Sequence, residues 1–422
     1  MIHVSDDVVA ALRDWSGGPA LLNKNQGDQR FTFSYRGVVD LKGLGKKTTY
    51  WLLGEVGKEN EGESALPMWM PTSMPIRQLP SQAQRFSYDY AAMLHFTFDV
   101  RSVPSDDTEI LADVLFGLVC SLFDLNRISV NPTTLRSFIR TIGQAYKDVP
   151  YHNLHHAFCV AQFTAALYHS SVVSVFDVKR SLEMTMYASM IAVICHDVGH
   201  DGFNNSFHVN SKSPLAKTFF NQSPLENMHI SVTNTILGMH GCNVFENWPY
   251  AFAEFSRNLI SNSLLATDMK LHDDVLSDLA QYDPQLLDSP NTNFDPDTCA
   301  AEETLKFNLE QYELLKLSRL MLHAADISNS VRPFGISKAF VDKLASEFGR
   351  QVQREKELGL SVAPFMVIPD EKAKARGEIY FLTTIARPYF VALAKAFPSC
   401  VCLVDSLDEN IMRWEGKQAA AL

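Results

Sequence analysis

Apolar positions recur at helical spacing, or run on without a break, over Ile110 to Phe123, Leu182 to Ile194 and Leu314 to Ala325, each of a length suited to a helix. Strand signals are sparse after residue 83, so the bulk of the chain is predicted to be all-α. The first segment reads differently. Phe31-Thr32-Phe33-Ser34 and Thr48-Thr49-Tyr50-Trp51-Leu52-Leu53 are rich in β-branched and aromatic residues and flank a turn-rich Lys42-Gly43-Leu44-Gly45-Lys46-Lys47, which predicts strand, turn and strand. Residues 58–83 carry Pro67, Pro71, Pro75 and Pro80 among mostly polar residues and are expected to be a linker. The expected organisation is therefore a small α/β segment over 1–57, a linker over 58–83 and a helical domain over 84–422.

Composition narrows the partners. Of 422 residues, 46% are hydrophobic and 20% charged, as in an ordinary soluble globular protein. A net charge of −11 argues against a nucleic-acid backbone as partner, which would call for a basic face. The seven cysteines, of which only Cys400 and Cys402 lie close together, form no disulfide framework and suggest reduced thiols in the cytoplasm. The start shows no basic and apolar leader pattern, and no apolar run approaches the length of a membrane span, so no membrane segment is expected.

The histidines change the picture. Eleven of thirteen fall between His152 and His323, a clustering that packing alone explains poorly. His152 and His156 are four apart, so on a helix both rings would leave one face. His196 and Asp197 end the apolar run Met190 to Cys195, where a buried helix would deliver a polar pair into a dry interior in need of a partner. Asp326 likewise follows the largely apolar Leu314 to Leu322. Imidazoles with carboxylates suit zinc, and a carboxylate that reaches a second ion suits a mostly water-bound magnesium or manganese. Together the five residues read as a two-metal hydrolase site.

Five motifs then stand in a telling order: Tyr151-His152-Asn153-Leu154-His155-His156-Ala157-Phe158, His196-Asp197-Val198-Gly199-His200, Leu225-Glu226-Asn227-Met228-His229, Thr267-Asp268-Met269 and His323-Ala324-Ala325-Asp326-Ile327-Ser328-Asn329. In order and spacing the chain from about residue 84 to 420 resembles the class I cyclic nucleotide phosphodiesterases. The resemblance implies a compact multi-helix, HD-type domain and two divalent metals, Zn2+ at the tighter site and Mg2+ or Mn2+ at the second. It implies His156, His196, Asp197 and Asp326 as ligands of the first, with Asp197 bridging to the second, and His152 as general acid. His200, Glu226, His229, Thr267 and Asp268 would orient the ligands and the waters around the metals. The chemistry implied is opening of 3′,5′-cyclic nucleotides to 5′-monophosphates by in-line attack of a metal-bridging hydroxide, with a proton from His152 to the leaving 3′-oxygen.

The purine pocket is where the sequence departs from the family. Tyr151, Asn329, Glu378 and Phe381 are the expected substrate contacts, but Glu378, ten residues before Pro388, stands where the family has glutamine. An ionised carboxylate accepts hydrogen bonds and donates none. If it faces the purine, cyclic AMP is favoured over cyclic GMP, because adenine's N6 amine can donate to it and guanine's O6 would be repelled. Alternatively, Glu378 pairs with Arg376, Arg387 or another base and faces away. Phe340 replaces a family tryptophan and Ser330 a family proline, both expected to alter pocket shape only. His155, His208, His240 and His272 are expected to be structural or surface residues, and His323 to support the site without binding metal. A cyclic nucleotide sensor without turnover, and a His-Asp phosphohydrolase acting on a non-cyclic phosphate ester, are the alternative functions. The sequence leaves a homodimer open.

The first segment resembles a different family. Ile2-His3-Val4-Ser5, Tyr35 to Gly45 and Thr49-Tyr50-Trp51-Leu52-Leu53-Gly54 look like the carboxyl end of a class III adenylyl or guanylyl cyclase domain. That family's metal-binding aspartates and catalytic Asn/Arg pair would lie upstream of Met1. Leu44 stands in place of a lysine in its Lys-Gly-Lys-Gly turn, so the segment is expected to be a remnant without catalysis.

Overall fold

The computed structural model describes residues 2–5, 31–41, 45–55, 88–172, 180–284 and 309–420. The chain divides into two compact units, Met1–Pro67 and Met68–Leu422, with the division falling inside the expected linker. Residues 58–83 themselves lie outside the described residues.

In the first unit, β1 (Ile2–Ser5), β2 (Phe31–Leu41) and β3 (Gly45–Glu55) form an antiparallel sheet in the order β1-β3-β2. Tyr50 is the register partner of both Val4 and Tyr35, and Asp40 lies opposite Lys46. A register shift between Tyr35 and Gly37 leaves Arg36 unpaired, as at a β-bulge. Both expected strands are present and run longer than predicted, so the connection shrinks to residues 42–44, which lie outside the described residues along with 6–30.

The second unit is all-α. Its early helices are α1 (Tyr90–Met93), α2 (Thr108–Leu122), α3 (Pro132–Ala145), α4 (Leu154–Leu167) and α5 (Arg180–Cys195). There follow α6 (Asn205–Asn210), α7 (Pro214–Thr218), α8 (Pro224–Leu237), α9 (Tyr250–Leu265) and α10 (His272–Ala280). The last are α11 (Leu309–Asp326), α12 (Phe334–Glu357), α13 (Glu371–Tyr380), α14 (Arg387–Ala396) and α15 (Val401–Ala420). The three predicted helical runs become α2, α5 and α11. Among the described residues, no helix is long and apolar enough to cross a membrane.

Two helices set the centre. Every residue of α4 is buried, and so is every residue of α5 beyond Arg180. A helix apolar on all faces requires neighbours on all faces, and α5 packs against α4, α9 and α11. Ser318 on α11 joins Ser189 of α5 and Ser263 of α9 through hydroxyl contacts of 2.8 Å each, which satisfies three polar groups that the dry interior would otherwise penalise. The candidate ligands sit at the ends of these rods: His156 in the first turn of α4, His196 and Asp197 just past α5, and Asp326 as the last residue of α11.

One expectation is corrected here. His152 and His156 do not share a helix face, because α4 begins only at Leu154. Asn153 adopts an extended backbone and its side-chain oxygen accepts the His155 and His156 N–H groups at 3.0 and 3.2 Å, so an N-cap separates the two histidines. They meet across the start of the helix, with ring centroids 5.8 Å apart.

The two milder departures are absorbed locally. Ser330 donates its N–H (3.3 Å) and its hydroxyl (2.7 Å) to the Ile327 carbonyl, bonds that a proline could not make. Phe340 is buried and stacks on His155 with centroids 6.1 Å apart.

Candidate metal centre

His156, His196, Asp197 and Asp326 converge. The Nε2 of His156 lies 3.1 Å from Asp326 Oδ1, 3.5 Å from Asp197 Oδ2 and 3.2 Å from His196 Nε2. His196 Nε2 is 3.1 Å from Asp197 Oδ2 and 3.4 Å from Asp326 Oδ1. Donors arranged on a zinc ion at its usual bond lengths are spaced by about 3.0–3.4 Å, so the four atoms already outline a coordination shell. Hydrogen bonding alone does not account for the cluster. His196 donates its Nδ1–H to the Val193 carbonyl (2.8 Å), which turns its Nε2 toward the other Nε2, and among the described residues Asp197 Oδ2 is buried without a hydrogen-bond partner. A divalent cation between them fits both facts.

The electrostatics agree. Burial pushes the Asp197 and Asp326 carboxyls up, but the facing imidazoles outweigh it and hold both below the usual carboxylate range, so both are ionised. Burial lowers His196, and the two carboxylates more than reverse that, raising it well above its ordinary value. Two buried anions thus draw positive charge into the centre, as a proton or as a metal. The cluster is open on one side only: the side chains of His196 and His156 are 0% and 4% exposed, whereas Asp326 is 21% and the neighbouring His152 26% exposed.

His152 stands outside the ligand cluster at that opening. Its Nδ1 is held in a very short contact with Glu347 Oε1, and Glu347 Oε2 accepts the N–H groups of Tyr151 (3.0 Å) and His152 (3.2 Å). Burial works to lower the His152 pKa, but the Glu347 hydrogen bond and the carboxylates of Asp197, Glu347 and Asp326 leave it raised. Tyr151 packs beside both histidines, its ring 4.8 Å from His152 and 4.7 Å from His156. Sequence reasoning missed Glu347, which lies 195 residues away on α12 in no recognisable motif. The signal that could have found it is chemical: a working imidazole needs its other nitrogen anchored.

Of the five residues expected to support the site, His200, His229 and Glu226 lie within electrostatic reach of Asp197. Gly199, at φ +83°, turns the chain between Asp197 and His200, whose N–H donates to the Asp197 carbonyl (3.0 Å) and whose ring stacks on His152 at 4.2 Å. The Gly202 N–H donates to His200 Nδ1 (3.0 Å), and burial with the neighbouring His152 charge holds His200 neutral, so it carries its proton on Nε2. His229 donates Nδ1–H to the Val198 carbonyl (2.8 Å) and turns Nε2 toward Asp197 Oδ1 at 3.7 Å. Both oxygens of Glu226 accept from Asn205 Nδ2 (3.0 and 2.9 Å), and burial, then the Asp268 charge, pushes its pKa up to about 8. Asp268 accepts the Ser223 hydroxyl (2.7 Å), and Thr267 donates its hydroxyl to the Leu264 carbonyl (2.8 Å).

Among the described residues, Glu378, on α13, pairs with no base. Arg387 is engaged by Asp408 (2.8 and 3.2 Å), and Glu378 Oε1 is buried without a hydrogen-bond partner. Burial alone pushes its pKa up to about 7. Phe381, three residues on, opens a π-helical turn (Phe381–Ala386), a feature frequent at functional sites, and Asn329 lies in the 3₁₀ turn Ser328–Val331 three residues past Asp326. Both are part-exposed. His208, bonded to Ser213 and Asp201, and His155, bonded to the Val100 carbonyl, are structural as expected. His272 Nδ1 meets His323 Nε2 at 2.9 Å, and His323, expected to support the site, has its Nδ1 3.1 Å from the Ala266 carbonyl.

Residues 151–407, well over half of the chain, match the sequence profile of the 3′5′-cyclic nucleotide phosphodiesterases. The chain is 35% identical over 272 residues to a human high affinity cGMP-specific 3′,5′-cyclic phosphodiesterase 9A, an alignment covering 64% of this chain and 41% of that protein. It is 28% identical over 308 residues to a dual 3′,5′-cyclic-AMP and -GMP phosphodiesterase beta of Plasmodium falciparum, covering 72% of this chain and 25% of the other. The chain thus spans less than half the length of these relatives. Among solved structures, the phosphodiesterase domain of the RhoPDE fusion protein from the choanoflagellate Salpingoeca rosetta superposes with a TM-score of 0.66 at 28% identity, covering 78% of this chain and 96% of that domain.

Proposed function

The chain belongs to the 3′,5′-cyclic nucleotide phosphodiesterase family, and from that membership we propose that it hydrolyses 3′,5′-cyclic nucleotides to 5′-monophosphates at the centre formed by His156, His196, Asp197 and Asp326. The observation that carries this reading is the convergence of two imidazoles and two ionised carboxylates, one oxygen orphaned, beside an accessible imidazole anchored by a carboxylate.

The donor set fits zinc, with Asp197 also able to reach a magnesium or manganese ion through its second oxygen. Bound there, the two ions would supply Lewis acidity toward the phosphoryl oxygens and a water acidic enough to attack near neutral pH. The remaining steps belong to side chains. Glu347 fixes the His152 tautomer with Nδ1–H toward itself and favours the imidazolium, so that Nε2 can give its proton to the departing 3′-oxygen. His200 and His229, neutral and oriented by backbone groups, hold the flank of Asp197. Glu226, its pKa pushed up to about 8 by burial and then by the Asp268 charge, carries a proton at neutral pH, which relieves that repulsion.

Glu378, Phe381, Asn329 and Tyr151 are proposed to receive the nucleoside. A preference for cyclic AMP follows from an ionised Glu378, but a carboxyl lifted to about 7 by burial is about half neutral near pH 7. A neutral carboxyl both donates and accepts, as an amide does, so it can pair with N1 and N6 of adenine or with N1 and O6 of guanine. We therefore read the substrate class as cyclic purine nucleotides of both kinds, with any advantage of cyclic AMP growing as pH rises and the carboxyl ionises. Residues 1–57 are proposed to belong to the carboxyl-terminal part of a class III cyclase domain joined through 58–83 to the phosphodiesterase domain, a reading supported by the antiparallel β1-β3-β2 sheet.

Chromatography of products from cyclic AMP, cyclic GMP and a linear phosphodiester tests the proposal. It requires 5′-monophosphates from the cyclic substrates and little or nothing from the linear one. Preferential cleavage of the linear ester would favour a general phosphohydrolase, and binding of cyclic nucleotide without product would favour a sensor.

A further inference from the structure

The loop that delivers His196 and Asp197 is built from a helix end whose own hydrogen bonds are broken. In a continuing α5 the Ile194 carbonyl would accept the Val198 N–H, but Val198 donates to Cys195 instead (3.1 Å). The Asp197 N–H would donate to the Val193 carbonyl, but that carbonyl receives the Nδ1–H of His196 (2.8 Å). Two backbone groups are thus orphaned on either side of the ligand pair, as at any helix terminus, here in the protein interior. One side chain answers both. The Tyr146 hydroxyl, arriving from the end of α3, donates to the Ile194 carbonyl at 2.9 Å and accepts the Asp197 N–H at 3.3 Å.

We infer that Tyr146 is a positioning residue for the metal centre, fixing through one hydroxyl the backbone from which Asp197 reaches the metals. The inference rests on the metal reading above. Asp197 has the most demanding geometry of the four ligands, since one oxygen faces His156 and His196 while the other faces His229. Its side chain can serve two directions only if its main chain stands still. A phenylalanine would fill the same volume but leave the carbonyl and the N–H without this partner, freeing the loop to seek other bonds. Groups that orient metal ligands from behind are commonly worth about 10–100-fold in metal affinity.

The test measures zinc dissociation constants, by competition against a chelator of known affinity, for the wild type, Tyr146→Phe and Tyr187→Phe. Tyr187 supplies the control, because among the described residues its hydroxyl is buried on α5 without a hydrogen-bond partner and its loss makes the same chemical change at a distance from the ligands. Tyr146→Phe is expected to bind zinc about 10–100-fold more weakly. KM for cyclic nucleotide should be unchanged and turnover restored by excess metal, with Tyr187→Phe at wild-type affinity. Equal affinity in wild type and Tyr146→Phe, or an equal loss in both variants, overturns the inference. If the wild type itself binds no zinc, the metal reading falls and this one with it. A second measurement needs no variant to fold. In metal-free wild-type protein, hydrogen exchange at the Asp197 amide should remain slow because its acceptor is Tyr146, and rapid exchange there would refute the assignment.

Discussion

His152 and Glu347 are proposed to share one task, keeping a proton available at a site where burial disfavours the charged imidazole. Replacing His152 by asparagine should leave both metals bound, because the ring lies outside the ligand cluster, yet slow turnover by about 100- to 10,000-fold, the usual worth of a general acid. Metal analysis of the purified variant checks the first half and single-substrate kinetics the second. Glu347→Gln is a subtler change. The carboxylate raises the His152 pKa, so the active, protonated imidazole is lost as pH rises through that value, and the amide should move the alkaline fall of activity to lower pH. An alkaline limb in the same place would remove Glu347 from this role. Glu378 acts on stability instead. Its folded pKa, about 7, lies above the ordinary 4.5, so the folded state holds a proton that the unfolded chain has given up, and stability falls as pH rises from about 4.5 to 7. Glu378→Gln should match the wild type near pH 4 and exceed it by up to about 3 kcal/mol above pH 7 in urea unfolding. Over the same range, KM for cyclic GMP should rise with pH in the wild type and stay flat in the variant.

At the scale of elements, α2, α5 and α11 were legible because burial on several faces selects apolar runs, and the ligand motifs because metal chemistry admits few residue types. What escaped reading depends on how elements meet. The spacing of His152 and His156 suggests one helix face, but the cap at Asn153 starts α4 between them. Glu347, Gln351 and Glu355 repeat at four-residue intervals on α12 and look like a solvated stripe, yet all three are buried. Gln351 exchanges hydrogen bonds of 2.9 and 3.0 Å with Asn204, so the stripe faces the loop that follows the ligands His196 and Asp197. A polar face turned inward has the same periodicity as one turned outward. Tyr146 was invisible for a related reason, since its value lies in two backbone groups that only the broken end of α5 creates. Asn153 gives this scale its own test: Asn153→Ala should cost about 1 kcal/mol of stability, as a lost helix cap does, read from urea unfolding. It should also weaken metal binding, since the capped turn carries His156, and unchanged stability would show that the cap does not organise the site.

For the whole helical unit, the metals are expected to act as a structural keystone as well as a chemical one. Four ligands from the ends of α4, α5 and α11 bring two ionised carboxylates into a nearly dry interior, and a bound cation offsets their repulsion while binding only the folded chain. Chelation should therefore lower the thermal midpoint, and zinc with magnesium should restore it, which scanning calorimetry reads directly. The net charge of −11 leaves the surface unsuited to a polyanion, while a singly charged cyclic nucleotide can be met locally at the centre. All of this depends on Asp197 serving both ions. The most direct test measures divalent metal per chain and 5′-monophosphate formation on the same preparations of wild type and Asp197→Ala. Two ions per chain with turnover in the wild type, and loss of both together in the variant, is the predicted result; an Asp197→Ala protein that keeps its metals and still forms 5′-monophosphate would contradict it.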